Sequence, residues 1–170
     1  MIEYRAARAE DGAVLAEMAA QSFKDTFAHL YKPADLETFL HQAFGAQGLP
    51  AQIGDPDYRI RVAIDDGRIA GFAKIGPCHL PSPPVAEGAA ELHQLYVLKD
   101  WHGQGIAHAL MDWVMDTARG DGASHLVLSV WSENHRAQRF YARYGLAEIG
   151  AHGFQVGDQI DDDRIWSVAL

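Results

Sequence analysis

The sequence predicts a single α/β domain built on a mixed sheet that is only partly parallel. Apolar segments of strand period and helix period alternate along the 170 residues, and one hairpin signal demands antiparallel pairing. Apolar residues make up 48% of the chain, enough for a real core within one domain of ordinary length.

Ile2 to Ala7 reads as a first strand. Asp11 then stands where it can cap a helix whose apolar positions Val14, Leu15, Met18, Phe23 and Phe27 recur near helical spacing as far as Ala28. Pro33 suits a helix start, and Leu36, Phe39, Leu40 and Ala43 mark a second amphipathic helix ended by Gly45 and Gly48. Two β-rich runs, Tyr58 to Ile64 and Arg68 to Ile75, flank Asp65-Asp66-Gly67 as a hairpin. From Gly76 to Ala90 four prolines and the absence of periodicity predict a loop. Glu91 to Leu98 alternates as a strand, and Gly105 opens a helix carrying Ile106, Leu110, Trp113, Val114 and Thr117. A strand at His125 to Trp131 precedes a helix from Asn134 to Tyr144, stopped by Gly145. Leu146 to Val156 and Arg164 to Leu170 read as closing strands, with Asp158 to Asp163 an acidic turn between them.

Charge and cysteine content bound the function. With 14 Lys+Arg against 23 Asp+Glu the net charge is −9, which repels nucleic acid and anionic lipid and favours cationic partners. No apolar run approaches the ~20 residues of a membrane span. Cys78 is the one cysteine and has no internal disulfide partner. Met1 to Arg5 carries no basic-plus-apolar leader, so the expected compartment is the cytoplasm.

The chemistry concentrates in two segments. In the first, the strand Leu95-Tyr96-Val97 feeds a turn, His102-Gly103-Gln104-Gly105, and then a helix starting Ile106-Ala107-His108. Glycines let the backbone approach a ligand, and the first amides of a helix lack internal partners at the positive end of its dipole, which suits a diphosphate. By itself a glycine pair is more often a plain turn. In the second, Asn134-x-x-Ala137-x-x-x-Tyr141-x-x-x-Gly145-Leu146 opens and closes a helix. The two together resemble the GNAT superfamily of acetyl-CoA-dependent N-acetyltransferases, and the order of elements matches over nearly the whole chain.

The resemblance implies a single GNAT domain over residues 1–170, with a mixed, mostly antiparallel central sheet flanked by about four helices. It implies acetyl-CoA as co-substrate, no metal, and a small-molecule amine as acceptor. The family's turn pattern, Q/R-x-x-G-x-G/A, falls on His102, Gly105 and Ala107, so His102 departs from it: a neutral imidazole offers one donor where Arg offers five. On the same footing the amides of Gly103, Gln104, Gly105, Ile106, Ala107 and His108 cradle the phosphates, and the backbone of Leu95, Tyr96 and Val97 pairs with the pantetheine arm. The Val97 N–H then polarises the thioester carbonyl. Asn134 matches a position that contacts CoA, a role compatible with capping its helix. Tyr141 matches the general acid. Glu91, sharing a strand face with His93, is the best-placed acceptor for the amine's proton, its other reading being a solvated carboxylate.

A helical N-terminal stretch with Phe23, Thr26, Phe27 and Tyr31, taken with Glu91 to Val97, resembles the branch containing spermidine/spermine acetyltransferases of the PaiA type. A polyamine therefore leads the acceptor classes, ahead of protein N-termini or lysines, amino acids and aminoglycosides. A CoA-binding module without turnover is the non-enzymatic alternative. The nine histidines lack zinc-site spacing, and Cys78 beside His79 in a proline-rich loop is a poor nucleophile dyad. Asp161-Asp162-Asp163 reads as a solvated turn, and the aromatics Phe23, Phe27 and Tyr31 as core or as an acceptor cleft. Oligomeric state is not written in the sequence, although a homodimer is a common assembly for soluble proteins and in this family.

Overall fold

The computed structural model describes residues 1–170. Its elements run β1 (Glu3–Ala6), α1 (Gly12–Phe27), α2 (Pro33–Phe44), α3 (Leu49–Gln52), β2 (Arg59–Asp65), β3 (Arg68–Pro77), β4 (Ala90–Val97), α4 (Ile106–Gly120), β5 (His125–Trp131), α5 (His135–Ala142), β6 (Ala147–Val156) and β7 (Gln159–Ala169). All seven strands join one sheet in the order β1-β2-β3-β4-β5-β7-β6. Its one parallel pair is β4 with β5; the rest are antiparallel. No helix is long and apolar enough to cross a membrane.

Local chemistry explains the ends of these elements. Asp66 (φ 46°) and Gly67 (φ 77°) sit between the paired residues Asp65 and Arg68, the two left-handed positions that a tight β2–β3 hairpin requires. Asp11, expected to cap α1, makes no capping bond to that helix. Its carboxylate instead takes the Arg8 N–H at 2.7 Å and the two terminal guanidinium nitrogens of Arg5 at 2.7 and 2.9 Å. A charged bidentate partner outweighs one amide.

Two cores lie on the two faces of the sheet. On one, Leu15, Met18, Ala19 and Phe23 of α1 and Phe44 of α2 pack on Val62, Phe72 and Tyr96. On the other, Ile106, Leu110, Met111, Val114 and Met115 of α4 pack on Ile75, Leu92, Leu126, Leu128 and Val130, with Phe140 and Tyr141 of α5 alongside. The short α3 was not foreseen, because four residues are too few to show a period.

The acidic stretch departs from expectation more sharply. Only Gly157 and Asp158 separate β6 from β7, and Asp161, Asp162 and Asp163 lie within β7. Strand alternation sends Asp161, Asp163 and Ile165 inward, each buried, and leaves Asp162 exposed.

The feature that shapes the site is a split between the parallel strands. They pair only at Ala90 with Leu126 and Glu91 with Val127. Beyond that point β4 stays with β3 as far as Val97 opposite Gly71, while β5 stays with β7 as far as Trp131 opposite Asp163. A bulge helps them part: Lys74 faces Gln94 and Ile75 faces Leu92, so His93 is the extra residue of β4.

Candidate active site

At the open end of this wedge, β4 runs into the glycine turn and α4. Gly103 (φ 80°) and Gly105 (φ 82°) hold left-handed backbone that side chains rarely adopt, and no atom lies within 4 Å of where a Cβ would sit on either. Gly105 is the residue before the first turn of α4, and its carbonyl accepts the Ala109 N–H at 3.0 Å. The amides of Ile106, Ala107 and His108 precede any intrahelical acceptor and point outward from the helix start.

Facing them across a cavity of about 490 Å³ is α5. Val97, His102, Gly103, Gly105, Ile106, Ala107 and His108 line one side; Arg136, Arg139, Phe140 and Arg143 line the other. The three arginines recur at i, i+3 and i+7 and so share a helix face. None is paired with a carboxylate, and no carboxylate lines the cavity. In a chain of net charge −9 this is a locally cationic, amide-rich pocket, suited to a polyphosphate. The spacing was legible; reading the helix through Asn134 and Tyr141 passed over it.

His102 does not aim at the cavity as a free donor. Its Nε2 is 2.9 Å from the Val97 carbonyl oxygen and its Nδ1 is 3.1 Å from Arg136 Nη1. A carbonyl only accepts and a guanidinium only donates, so the partners assign Nε2–H and a bare Nδ1. Gln104 turns its amide back to the Asp100 carbonyl at 3.3 Å, and the Asn134 side chain caps α5 by accepting the Ala137 N–H at 3.2 Å. Neither lines the cavity, nor do Leu95 and Tyr96. His108 Nδ1 is 2.9 Å from the Tyr144 hydroxyl.

The inner edge of the wedge presents backbone. Leu98 donates to the Ala70 carbonyl at 2.9 Å, so by antiparallel alternation the N–H groups of Leu95 and Val97 face away from β3, towards the split. Tyr141 of α5 stands beside Tyr96, and burial pushes both hydroxyls above the ordinary tyrosine range.

On the α1/α2 side of the sheet a second group of polar residues is buried. Glu91, far from being solvated, is 8% exposed. Its Oε2 lies 2.5 Å from His93 Nδ1, and its Oε1 accepts the His79 N–H at 3.3 Å. Asp161 accepts from the Tyr31 hydroxyl and, at 2.8 Å, from Gln159 Nε2. Asp163 accepts from Ser129 Oγ at 2.9 Å, and Ser129 Oγ is 2.9 Å from His152 Nε2. Burial raises the Asp163 carboxyl above its usual range. Phe27 meets Trp131 edge-on at 6.2 Å between ring centres, and Phe23 stacks on Tyr31 at 6.1 Å. Tyr31 and Phe23 are core residues, whereas Phe27 is only partly buried. No group of three or more His, Cys, Asp or Glu is arranged to hold a metal ion.

The model of the acetyltransferase (GNAT) family matches residues 17–146, from within α1 to the end of α5 and the residues after it. An uncharacterized N-acetyltransferase of Mycobacterium bovis is 32% identical over 155 residues, 91% of this chain and 95% of that protein. The aminoalkylphosphonate N-acetyltransferase of Salmonella typhimurium is 33% identical over 106 residues, covering 62% of this chain and 66% of that one. Among solved structures, the paia N-acetyltransferase from Thermoplasma acidophilum in complex with coenzyme A superposes with a TM-score of 0.77 at 21% identity, over 100% of this chain and 99% of that one; at this identity the likeness is one of fold. The split sheet, the cationic cavity and these relatives together make the chain a member of the acetyltransferase (GNAT) family, an N-acetyltransferase with acetyl-CoA as its donor.

Proposed function

We propose that the protein transfers acetyl from acetyl-CoA directly to the primary amine of a small cationic acceptor, with a polyamine the best-fitting class. The observation that carries the acceptor class is the pair Asp161 and Asp163. Each is 8% exposed, and neither is paired with a Lys or Arg. Buried carboxylates are normally matched by a cation, and an ammonium group of the acceptor supplies one. That both carboxylates lie on the sheet face opposite α4 and α5 supports entry of the acceptor from the α1/α2 side, with CoA entering from the other.

In this reading the phosphates of CoA rest on the amides of Gly103 to His108 and on Arg136, Arg139 and Arg143. The pantetheine arm runs along the open edge of β4, and the Val97 N–H takes the charge that develops on the acetyl oxygen. The amine nitrogen attacks the acetyl carbon, a C–N bond forms, and the C–S bond breaks. Glu91 receives the proton lost by the amine, and Tyr141 gives its proton to the departing thiolate. A hydroxyl held above the ordinary tyrosine range keeps that proton until it is needed.

An acetyl-CoA thiol-release assay over separate amines tests the proposal. Spermidine is expected to turn over fastest, ahead of amino acids, peptide N-termini and aminoglycosides. An inert spermidine with an active peptide N-terminus would replace the acceptor class, and inertness of every amine would favour a CoA-binding module.

A further inference from the structure

We infer that His102 is a positioning residue: an uncharged imidazole strut, anchored on the end of β4, that holds the Arg136 guanidinium against the anion cavity. The inference rests on CoA occupying that cavity, and it assigns His102 a task other than touching phosphate.

The hydrogen-bond partners carry it. Nε2–H donates to the Val97 carbonyl and Nδ1 accepts from Arg136 Nη1, at 2.9 and 3.1 Å, so both ring nitrogens are committed. The ring therefore ties β4 to α5 across the mouth of the wedge, in the same cavity as the Gly103–Gly105 turn. Arg136 forms no ion pair, and His102 is its side-chain partner. An arginine side chain carries much rotamer freedom, and a strut that removes part of it before the ligand arrives improves affinity without adding a contact to the ligand.

The same geometry makes the strut acid-sensitive. A proton added at Nδ1 replaces an N–H···N bond with two cationic N–H groups facing one another. The other titratable or charged groups around the cavity are His108 on α4 and Arg139 and Arg143 on α5, and none of them accepts from Arg136.

Titration calorimetry of CoA against wild type, His102→Ala, His102→Gln, Arg136→Gln and the His102→Ala/Arg136→Gln double variant tests this, at about pH 8 and about pH 5.5. Arg136→Gln is expected to weaken binding about tenfold and His102→Ala about fivefold, with the double variant no weaker than Arg136→Gln alone. Glutamine can donate to Val97 and accept from Arg136 without titrating. His102→Gln should therefore recover most of the affinity that His102→Ala loses, and should weaken less than wild type on acidification. Since CoA's own phosphate titrates in both proteins, that difference isolates the imidazole.

Additive losses in the double variant, or equal acid sensitivity in wild type and His102→Gln, would overturn the strut while leaving CoA in the cavity. Failure of wild type to bind CoA would overturn the placement of CoA and the strut with it.

Discussion

Glu91 Oε2 and His93 Nδ1 are 2.5 Å apart, while His93 Nε2 lies 2.9 Å from the Pro77 carbonyl oxygen. A carbonyl cannot donate, so Nε2 carries a hydrogen and a second proton lies between the imidazole and the carboxylate. On the proposed mechanism Glu91 accepts the amine's proton through Oε1, whose other partner is the His79 N–H. Glu91→Gln is expected to lower kcat by about 10²–10⁴ with little change in the Kd for acetyl-CoA, read by steady-state kinetics and calorimetry. His93→Asn removes the imidazole that holds Glu91 Oε2, so its kcat should fall with little change in the Kd for acetyl-CoA. An unaltered kcat would show that His93 merely packs.

The proposed mechanism gives Tyr141 the proton for the departing thiolate. Tyr141→Phe should reduce kcat by about 10²-fold and leave acetyl-CoA binding intact, because only the proton for the thiolate is lost. Burial raises this hydroxyl above the ordinary tyrosine range, so the acid form persists as pH rises, and no alkaline loss of rate should appear at the ordinary tyrosine value of about 10. A rate that falls there in wild type but not in Tyr141→Phe would contradict the burial argument.

Lys74 gives a stability prediction. Its Nζ is buried, donates to Gln52 Oε1 at 2.7 Å and lies 5.3 Å from the centre of the Tyr58 ring. Burial lowers its pKa from 10.5 to about 8, with Glu91 opposing the shift. Between these values the unfolded chain binds the proton that the folded chain has released, so stability rises with pH across that window. Below about pH 8 the buried ammonium costs on the order of 1–3 kcal/mol. In urea unfolding, Lys74→Met should gain stability over wild type at pH 7 and lose that advantage by about pH 10. A pH-independent difference would show that Lys74 is solvated in the folded state.

The acceptor side has its own test. Asp163→Asn keeps the shape and the Ser129 bond but removes a charge. With spermidine as substrate its KM should rise about tenfold while the Kd for acetyl-CoA stays the same, a loss of uniform binding of the amine. Equal KM values for the two proteins would place the cation elsewhere.

Most of the glycine turn and the helix starts beside the cavity was legible, because these features are local: two glycines with positive φ, an adjoining helix start and a capped helix each leave a mark within a few residues. The arginine face of α5 was equally local, but its meaning depended on what stands opposite. Asp161 and Asp163 were misread for a physical reason. Three consecutive acids resemble a solvated turn unless the strand continues through them, and the inward set Asp161, Asp163 and Ile165 emerges only from the register with Trp131 and Ser129. The meeting of His102 with Arg136 depends on a pairing between elements that no short motif records, whereas the meeting of Glu91 with His93 follows from their spacing two apart on one strand.

Calorimetric titration of acetyl-CoA into Gly105→Glu and Gly122→Glu tests the placement of the donor most directly. Both glycines have positive φ, 82° and 75°, with no neighbouring atom within 4 Å of a built Cβ, so both variants bear the same backbone strain. Only Gly105 lines the cavity between the α4 amides and the three arginines. Loss of acetyl-CoA binding in Gly105→Glu alone, with Gly122→Glu binding as wild type does, is the predicted result. Undiminished binding by folded Gly105→Glu would contradict the site.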